Sequence, residues 1–291
     1  MKIDGLARLV VGTFAFLVTV RLNSAELSPP KLVVPYGENV VAGKTVVLNG
    51  IKLYYETYGQ GPPMLLIHGN GQSIGAMGYQ IDFFSSHFHV IAADSRGHGK
   101  SELGKGRLTY EQMAEDFNVL LGQLNLKSVD VLGWSDGGII GLLLALHHPD
   151  KVGKLAIMGA SLRPDGVYPW ASGAGEEELK AVDNRIAQGD SSFALKVKRQ
   201  RLDLLCLQPH IASDDLRKIL SPTLVMAGDK DVIDDEHTLE IFHHLPNAHL
   251  CIFPGATHMM PWEDPQLFNR TVDKFLVQPY SRPDTRKLFG M

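Results

Sequence analysis

Cysteine is nearly absent from this chain. Cys206 and Cys251 are the only two among 291 residues, and they stand far apart. That excludes a disulfide framework, and neither cysteine belongs to a CxxC pair or another metal-type spacing. Both read as buried free thiols packed as small hydrophobes. No HExxH or similar ligand spacing occurs. The pairs His147-His148 and His243-His244 put neighbouring rings in different directions on a helix, so neither a metal ion nor a cofactor is expected. A strong charge of one sign is missing too, and a formal net charge of -4 leaves no basic footprint for nucleic acid. There is no internal repeat and no low-complexity tract.

The apolar run Leu9 to Val20 falls short of the about 20 apolar residues a spanning helix needs. Lys2 and Arg8 precede it, Arg21 closes it, and Asn23-Ser24-Ala25 supply small residues before Glu26. A basic start, an apolar stretch and a small-residue exit are the layout of a secretory signal peptide. Residues 1–25 are therefore expected to be a signal peptide and the protein to be exported, periplasmic or secreted. An uncleaved anchor and an ordinary apolar helix are the alternatives, and only the anchor implies contact with a membrane.

The 291-residue chain has the composition of a globular protein, 44% hydrophobic and 21% charged, and is long enough to bury a full core. Pro29, Pro30 and Pro35 mark residues 26–44 as a linker. Thr45 to Leu48 and Lys52 to Tyr58 flank Asn49-Gly50, the strongest short-range hairpin signal. Apolar runs of strand length then alternate with helix-length segments: Met64–Ile67, Val90–Ala93, Val129–Leu132, Leu155–Met158, Leu224–Ala227 and Leu250–Phe253. Runs without polar alternation suit strands covered on both faces, and the alternating order predicts a parallel sheet of βαβ units. One interval, from Met158 to Leu224, is longer than the others. Pro164, Pro169, Gly173 and Gly175 open it, and Glu176 to Leu220 is mostly helix-forming. The expected fold class is α/β, with a mostly parallel central sheet, helices on both faces and a helical cap. Residues 45–160 and 222–277 form the core, 161–221 the cap and 278–291 a tail.

The clearest chemistry follows the run Val129–Leu132. Gly133-Trp134-Ser135-Asp136-Gly137-Gly138 leads at once into the helix-like stretch Ile139 to His147. G-x-S-x-G at a strand-to-helix junction is a nucleophile elbow. A serine on so sharp a turn needs neighbours two residues away without side chains. The turn lifts its hydroxyl above the sheet and turns the Asp136 amide toward a developing oxyanion.

Three more segments complete a candidate site. His68-Gly69-Asn70-Gly71 follows the run Met64–Ile67, and the Asn70 amide is the expected second oxyanion donor. His68 is expected to brace that loop. Gly228-Asp229-Lys230-Asp231 follows Leu224–Ala227 and offers two aspartates at the carboxyl edge of the sheet, where ligands of α/β folds bind. Asp234 and Asp235 read as solvated helix caps. His258 follows Pro254-Gly255-Ala256-Thr257, and an imidazole with an ordinary pKa of about 6.5 suits a base that takes and returns a proton.

These segments, with Asp94-Ser95-Arg96-Gly97-His98-Gly99-Lys100-Ser101, resemble the α/β-hydrolase superfamily over residues 45 to 277. The resemblance implies a triad of Ser135, Asp231 and His258, with Asp231 ahead of Asp229 as the last aspartate of a G-x-x-D turn. It also implies a structural role for the Asp94–Ser101 segment, Arg96 included. The Gly-Trp-Ser-Asp-Gly-Gly elbow resembles small capped esterases of the valacyclovir-hydrolase-like type. Serine there speaks against haloalkane dehalogenases and epoxide hydrolases, which are similar but carry aspartate.

The expected activity is hydrolysis of a small-molecule ester or related acyl bond through an acyl-enzyme. The same triad also serves carbon–carbon bond hydrolysis, acyl transfer to an alcohol and cofactor-free perhydrolysis; a non-catalytic, hydrolase-like binding protein usually lacks a triad member, and none is missing here. Trp134, Tyr168, Trp170, Met259 and Met260 are candidates for an apolar acyl pocket, with core packing or a cap hinge as the alternative.

Overall fold

The computed structural model describes residues 32–290. The segment expected to be a signal peptide, 1–25, lies outside the described residues. From Leu32 the supposed linker is packed rather than free. Leu32, Val34 and Tyr36 lie against the core, and the Gly37 and Asn39 amides donate to the buried Glu56 carboxylate at 2.8 and 3.1 Å. Apolar residues among the prolines account for that docking.

Strands β1 (Gly43–Leu48) and β2 (Ile51–Tyr58) form the expected hairpin through Asn49-Gly50. Six further strands follow the apolar runs: β3 (Pro63–Ile67), β4 (His89–Ala93), β5 (Val129–Trp134), β6 (Val152–Met158), β7 (Thr223–Lys230) and β8 (Ala248–Thr257). They order as β1-β2-β4-β3-β5-β6-β7-β8, parallel from β4 onward, with β2 joining β4 antiparallel. Both final strands run past their apolar stretches. Gly228-Asp229-Lys230 and Pro254 to Thr257 belong to strands, not turns, because they pair with each other across a register shift.

The connecting helices are α1 (Gly78–Phe84), α2 (Tyr110–Gln123), α3 (Asp136–His147), α4 (Pro169–Ala187), α5 (Phe193–Leu207), α6 (Asp235–His244), α7 (Met260–Glu263), α8 (Pro265–Val277) and α9 (Thr285–Leu288). Alternate residues of each strand feed opposite cores. Leu65, Ile67, Val129 and Val131 pack with residues of α2, α3 and α6. Met64, Leu66, Leu132 and Trp134 pack with residues of α1 and α8. Such two-sided burial is why the strand sequences lack polar alternation.

Helix α4 begins at Pro169 and runs through Gly173 and Gly175, which composition alone reads as breakers. At Gly175 a Cβ would lie 3.3 Å from Cys206 Sγ on α5, so close helix packing accounts for that glycine. Val182, Leu195 and Leu202 form a small core between α4 and α5. Cys206 and Cys251 are free but only half-buried. Among the described residues no helix is long and apolar enough to cross a membrane.

Candidate active site

Because β3 sits between β4 and β5, the strand order reverses there, and the carboxyl ends of β3 and β5 are the switch point at which α/β sheets bind ligands. Ile67 of β3 pairs with Gly133 of β5, which brings loop 68–72 beside the turn after β5. Ser135 caps α3 with φ 57° and ψ -119°, a strained conformation for a residue with a side chain. The flanking glycines are sterically required. A Cβ on Gly133 would come within 2.1 Å of the Gly137 carbonyl oxygen, and one on Gly137 within 2.1 Å of that of Ile67.

Three of the sequence-derived site residues meet in a chain of hydrogen bonds. Ser135 Oγ lies 2.9 Å from His258 Nε2, and His258 Nδ1 lies 2.6 Å from Asp231 Oδ1. Asp231 also accepts from the Ile233 amide at 3.1 Å and the Gly228 amide at 3.4 Å. Asp229 is elsewhere, accepting from the Gly255 amide at 2.9 Å between β7 and β8. Burial opposes both charges of the His258–Asp231 pair, but their mutual attraction outweighs it. It holds the Asp231 carboxyl below its ordinary range and lifts the imidazole above its own, with help from Asp136 and Glu263.

Around the serine, Asp136 opens α3, where a first-turn amide has no intrahelical partner. Among the described residues the Asn70 and Asp136 backbone amides make no hydrogen bond. The Asn70 carboxamide donates to Asp136 Oδ2 at 2.9 Å and to the Arg201 carbonyl of α5 at 3.1 Å. Burial pushes the Asp136 carboxyl up to about 6 despite Tyr110, Asn70 and His258 favouring its charge.

His68 braces, as its loop position implied. Its Nε2 accepts from the Ser95 amide at 3.0 Å, so Nδ1 carries the proton and donates to the Gly69 carbonyl at 2.8 Å. Burial lowers its pKa to about 4 and keeps it neutral. Asp94 accepts from the Ile74 and Lys100 amides, each at 2.8 Å. Arg96 grips the buried Asp116 with Nε and Nη2 at 2.7 and 2.6 Å. Asp234 caps α6 by accepting from the Glu236 amide.

Several contributors escaped sequence reasoning. Gly159, just past β6, has φ 63°, and a Cβ there would stand 2.6 Å from the His258 ring. Glu263 accepts from the Thr257 amide and hydroxyl at 2.9 and 2.6 Å, holding the residue before His258. Trp134, a pocket candidate, is wholly buried and stacks edge-on against Trp262. Met260 is buried in the same core, and Met259 packs against it. The Tyr168 hydroxyl accepts from the Asp235 amide at 3.4 Å, while the Trp170 side chain is largely exposed. A glycine or glutamate has no motif that marks such duties; only the folded loops assign them.

A family model described as alpha/beta hydrolase fold matches residues 62–210. The chain belongs to that family. Serine hydrolase BPHL of Mus musculus is 27% identical over 261 residues, covering 84% of this chain and 89% of its relative. 3-Oxoadipate enol-lactonase 2 of Acinetobacter baylyi is 26% identical over 265 residues, covering 79% and 94%. A hydrolase from Pseudomonas aeruginosa PA01 superposes with a TM-score of 0.69 at 26% identity, covering 82% of this chain and all of that one. The protein is thus an alpha/beta hydrolase enzyme, with a mostly parallel eight-stranded sheet and helices on both faces.

Proposed function

We propose that this alpha/beta hydrolase cleaves a carboxylic ester or related acyl bond of a small molecule through Ser135, His258 and Asp231. The observation that carries the reading is the unbroken relay from Ser135 Oγ through His258 to Asp231, at 2.9 and 2.6 Å, on a strained elbow. Ser135 Oγ attacks the carbonyl carbon while His258 Nε2 takes its proton. Asp231 holds the ring in the tautomer with Nδ1 protonated and stabilises the imidazolium. The unpaired amides of Asn70 and Asp136 receive the oxyanion. His258 then protonates the leaving alkoxide, which departs as the alcohol and leaves an acyl-serine. Water, deprotonated by His258, attacks that acyl group, and the acid leaves with the serine proton restored.

The printed activities of the relatives, an enol-lactonase and a serine hydrolase, support an acyl bond. Helices α4 and α5 serve as the cap in this reading, and residues 1–25 as the export signal. N-terminal sequencing of the mature protein tests the export signal.

Purified protein should hydrolyse p-nitrophenyl acetate and label with a fluorophosphonate probe. Ser135→Ala should lose both, with turnover falling by orders of magnitude. Hydrolysis by Ser135→Ala at the wild-type rate would sink the assignment.

A further inference from the structure

Within this reading of Ser135, one side chain has a duty beyond the triad. Asn70 and Asp136 are the two residues whose backbone amides face the reaction, and their side chains bond to each other, Nδ2 to Oδ2 at 2.9 Å. The second proton of the same amide group goes to the Arg201 carbonyl of α5 at 3.1 Å. Both donors of the Asn70 NH₂ are therefore used, one on α3 and one on α5.

The Asp136 side of this link is costly to leave alone. Its carboxylate is buried, with 4% of the residue exposed. Among the described residues it has no ion-pair partner within 4.0 Å. A buried charge persists only where donors satisfy it. Here they are the Asn70 carboxamide, the start of α3 and the nearby Tyr110 hydroxyl. The loop's other side-chain bonds face elsewhere: Gly69 N–H donates to Gln72 of the same loop, and His68 holds the Ser95 amide of the loop after β4. Among the described residues, the side-chain hydrogen bond joining loop 68–72 to α3 is Asn70–Asp136.

We propose that the Asn70 carboxamide is a positioning residue that clasps the two oxyanion donors into one unit and pins that unit to helix α5. A tetrahedral oxyanion must meet both amides at once, and displacement of a donor costs rate without much cost to ground-state binding. α5 is itself anchored to the sheet side, with Arg201 Nε donating to the Gly97 carbonyl at 3.0 Å and Arg107 Nε to Asp203 at 2.6 Å. The clasp thus couples the placement of α5 to the reaction centre.

The test compares wild type with Asn70→Ala, Asp136→Ala and Asp136→Asn. Each is measured for kcat and KM on p-nitrophenyl acetate, for Ki of phenylboronic acid and for thermal unfolding. The boronate forms a tetrahedral adduct on the serine and reads the oxyanion site directly. Asn70→Ala should lower kcat by about ten- to a hundredfold, approaching outright loss of one donor. KM should stay within about threefold, and Ki should rise in step with the loss of kcat. Asp136→Ala should behave alike, whereas Asp136→Asn, which keeps an acceptor for the Asn70 carboxamide, should lose less of kcat than Asp136→Ala. The Asn70→Ala/Asp136→Ala double variant should be no slower than the slower single variant.

Asn70→Ala with kcat and Ki within about twofold of wild type overturns the proposal, as does a rise in KM alone. If Asn70→Ala does not fold, the contrast between Asp136→Ala and Asp136→Asn decides on the same readouts. Ser135→Ala keeps the two readings apart. An inactive Ser135→Ala beside an unaffected Asn70→Ala removes only the clasp, whereas turnover by Ser135→Ala removes the nucleophile.

Discussion

The indole Nε1 of Trp134 donates to the backbone carbonyl of His258 at 2.9 Å. The residue immediately before Ser135 therefore holds the backbone of His258. Trp134→Phe keeps an aromatic ring and loses the donor, and a half-buried carbonyl then goes without it. The expected cost is about 1–3 kcal/mol of stability, read by denaturant unfolding. With it should come a several-fold fall in kcat, with KM nearly unchanged, because the imidazole is less well aimed. Unchanged kcat and unchanged unfolding would show that the indole contributes packing alone.

Gly159 stands against the same ring. Gly159→Ala would place a methyl group 2.6 Å from the imidazole on a backbone at φ 63°. The ring must move, the backbone must strain, or both. A drop in kcat of tenfold or more is expected, since displacement of about 1 Å at a reacting group can cost about a hundredfold. Stability should fall by about 1 kcal/mol or more for the left-handed backbone alone. Steady-state kinetics beside thermal unfolding separate the two effects.

The two aspartates of the β7 end make a matched pair. Asp231→Asn leaves the shape intact but removes the charge that orients and stabilises the imidazolium, a change worth about 10⁴-fold in kcat in a related triad. Asp229→Asn keeps an acceptor for the Gly255 amide and should leave kcat within about threefold. Parallel assays at one pH distinguish them, and a reversed order would move the acid to Asp229.

Acid should silence the enzyme through His258. Only the neutral ring can take the serine proton, and Asp231 holds its pKa above the ordinary 6.5. A folded-state pKa above the unfolded value also means that the stability from the charged pair is present below about 6.5. It is lost as pH rises through the folded pKa. Activity runs the opposite way: kcat/KM should fall about tenfold per pH unit below that pKa and level off above it. Asp231 is held low and stays charged across this range. The inflection should shift downward in residual Asp231→Asn activity, and a pH–rate profile with no acid limb would contradict the role of His258.

Much of this was legible in the chain because local rules made it so. The Asn49-Gly50 hairpin and the six apolar runs appear as strands, since uninterrupted Val, Leu and Ile segments need cover on both faces. The elbow was readable because Gly133 and Gly137 are demanded by contacts within a few residues of Ser135 or with the adjoining strand. Gly173 and Gly175 lie inside α4 rather than ahead of it; Gly175 faces Cys206 of α5, and a glycine that admits a neighbouring helix looks the same in sequence as one that ends its own. The strand ends at Gly228 and Pro254 misled, because pairing between β7 and β8 overrides their weak local preference.

The sequence by itself determined the kinds of groups available: a serine in a turn, an imidazole past the last strand, two competing carboxylates and glycine-rich loops. Those follow from short-range sterics and from hydrophobic period. Which groups meet was decided only by the tertiary structure. Strand order places β3 beside β5 and β7 beside β8, so residues 123 positions apart, Ser135 and His258, stand 2.9 Å apart. The same packing sends Asp229 to a backbone amide and Asp231 to the imidazole, and it sets Gly159, Glu263, Trp134 and Asn70 around them. Hydrogen-bond partners distant in sequence leave no periodicity in the chain, and their geometry exists only once the sheet has brought them together.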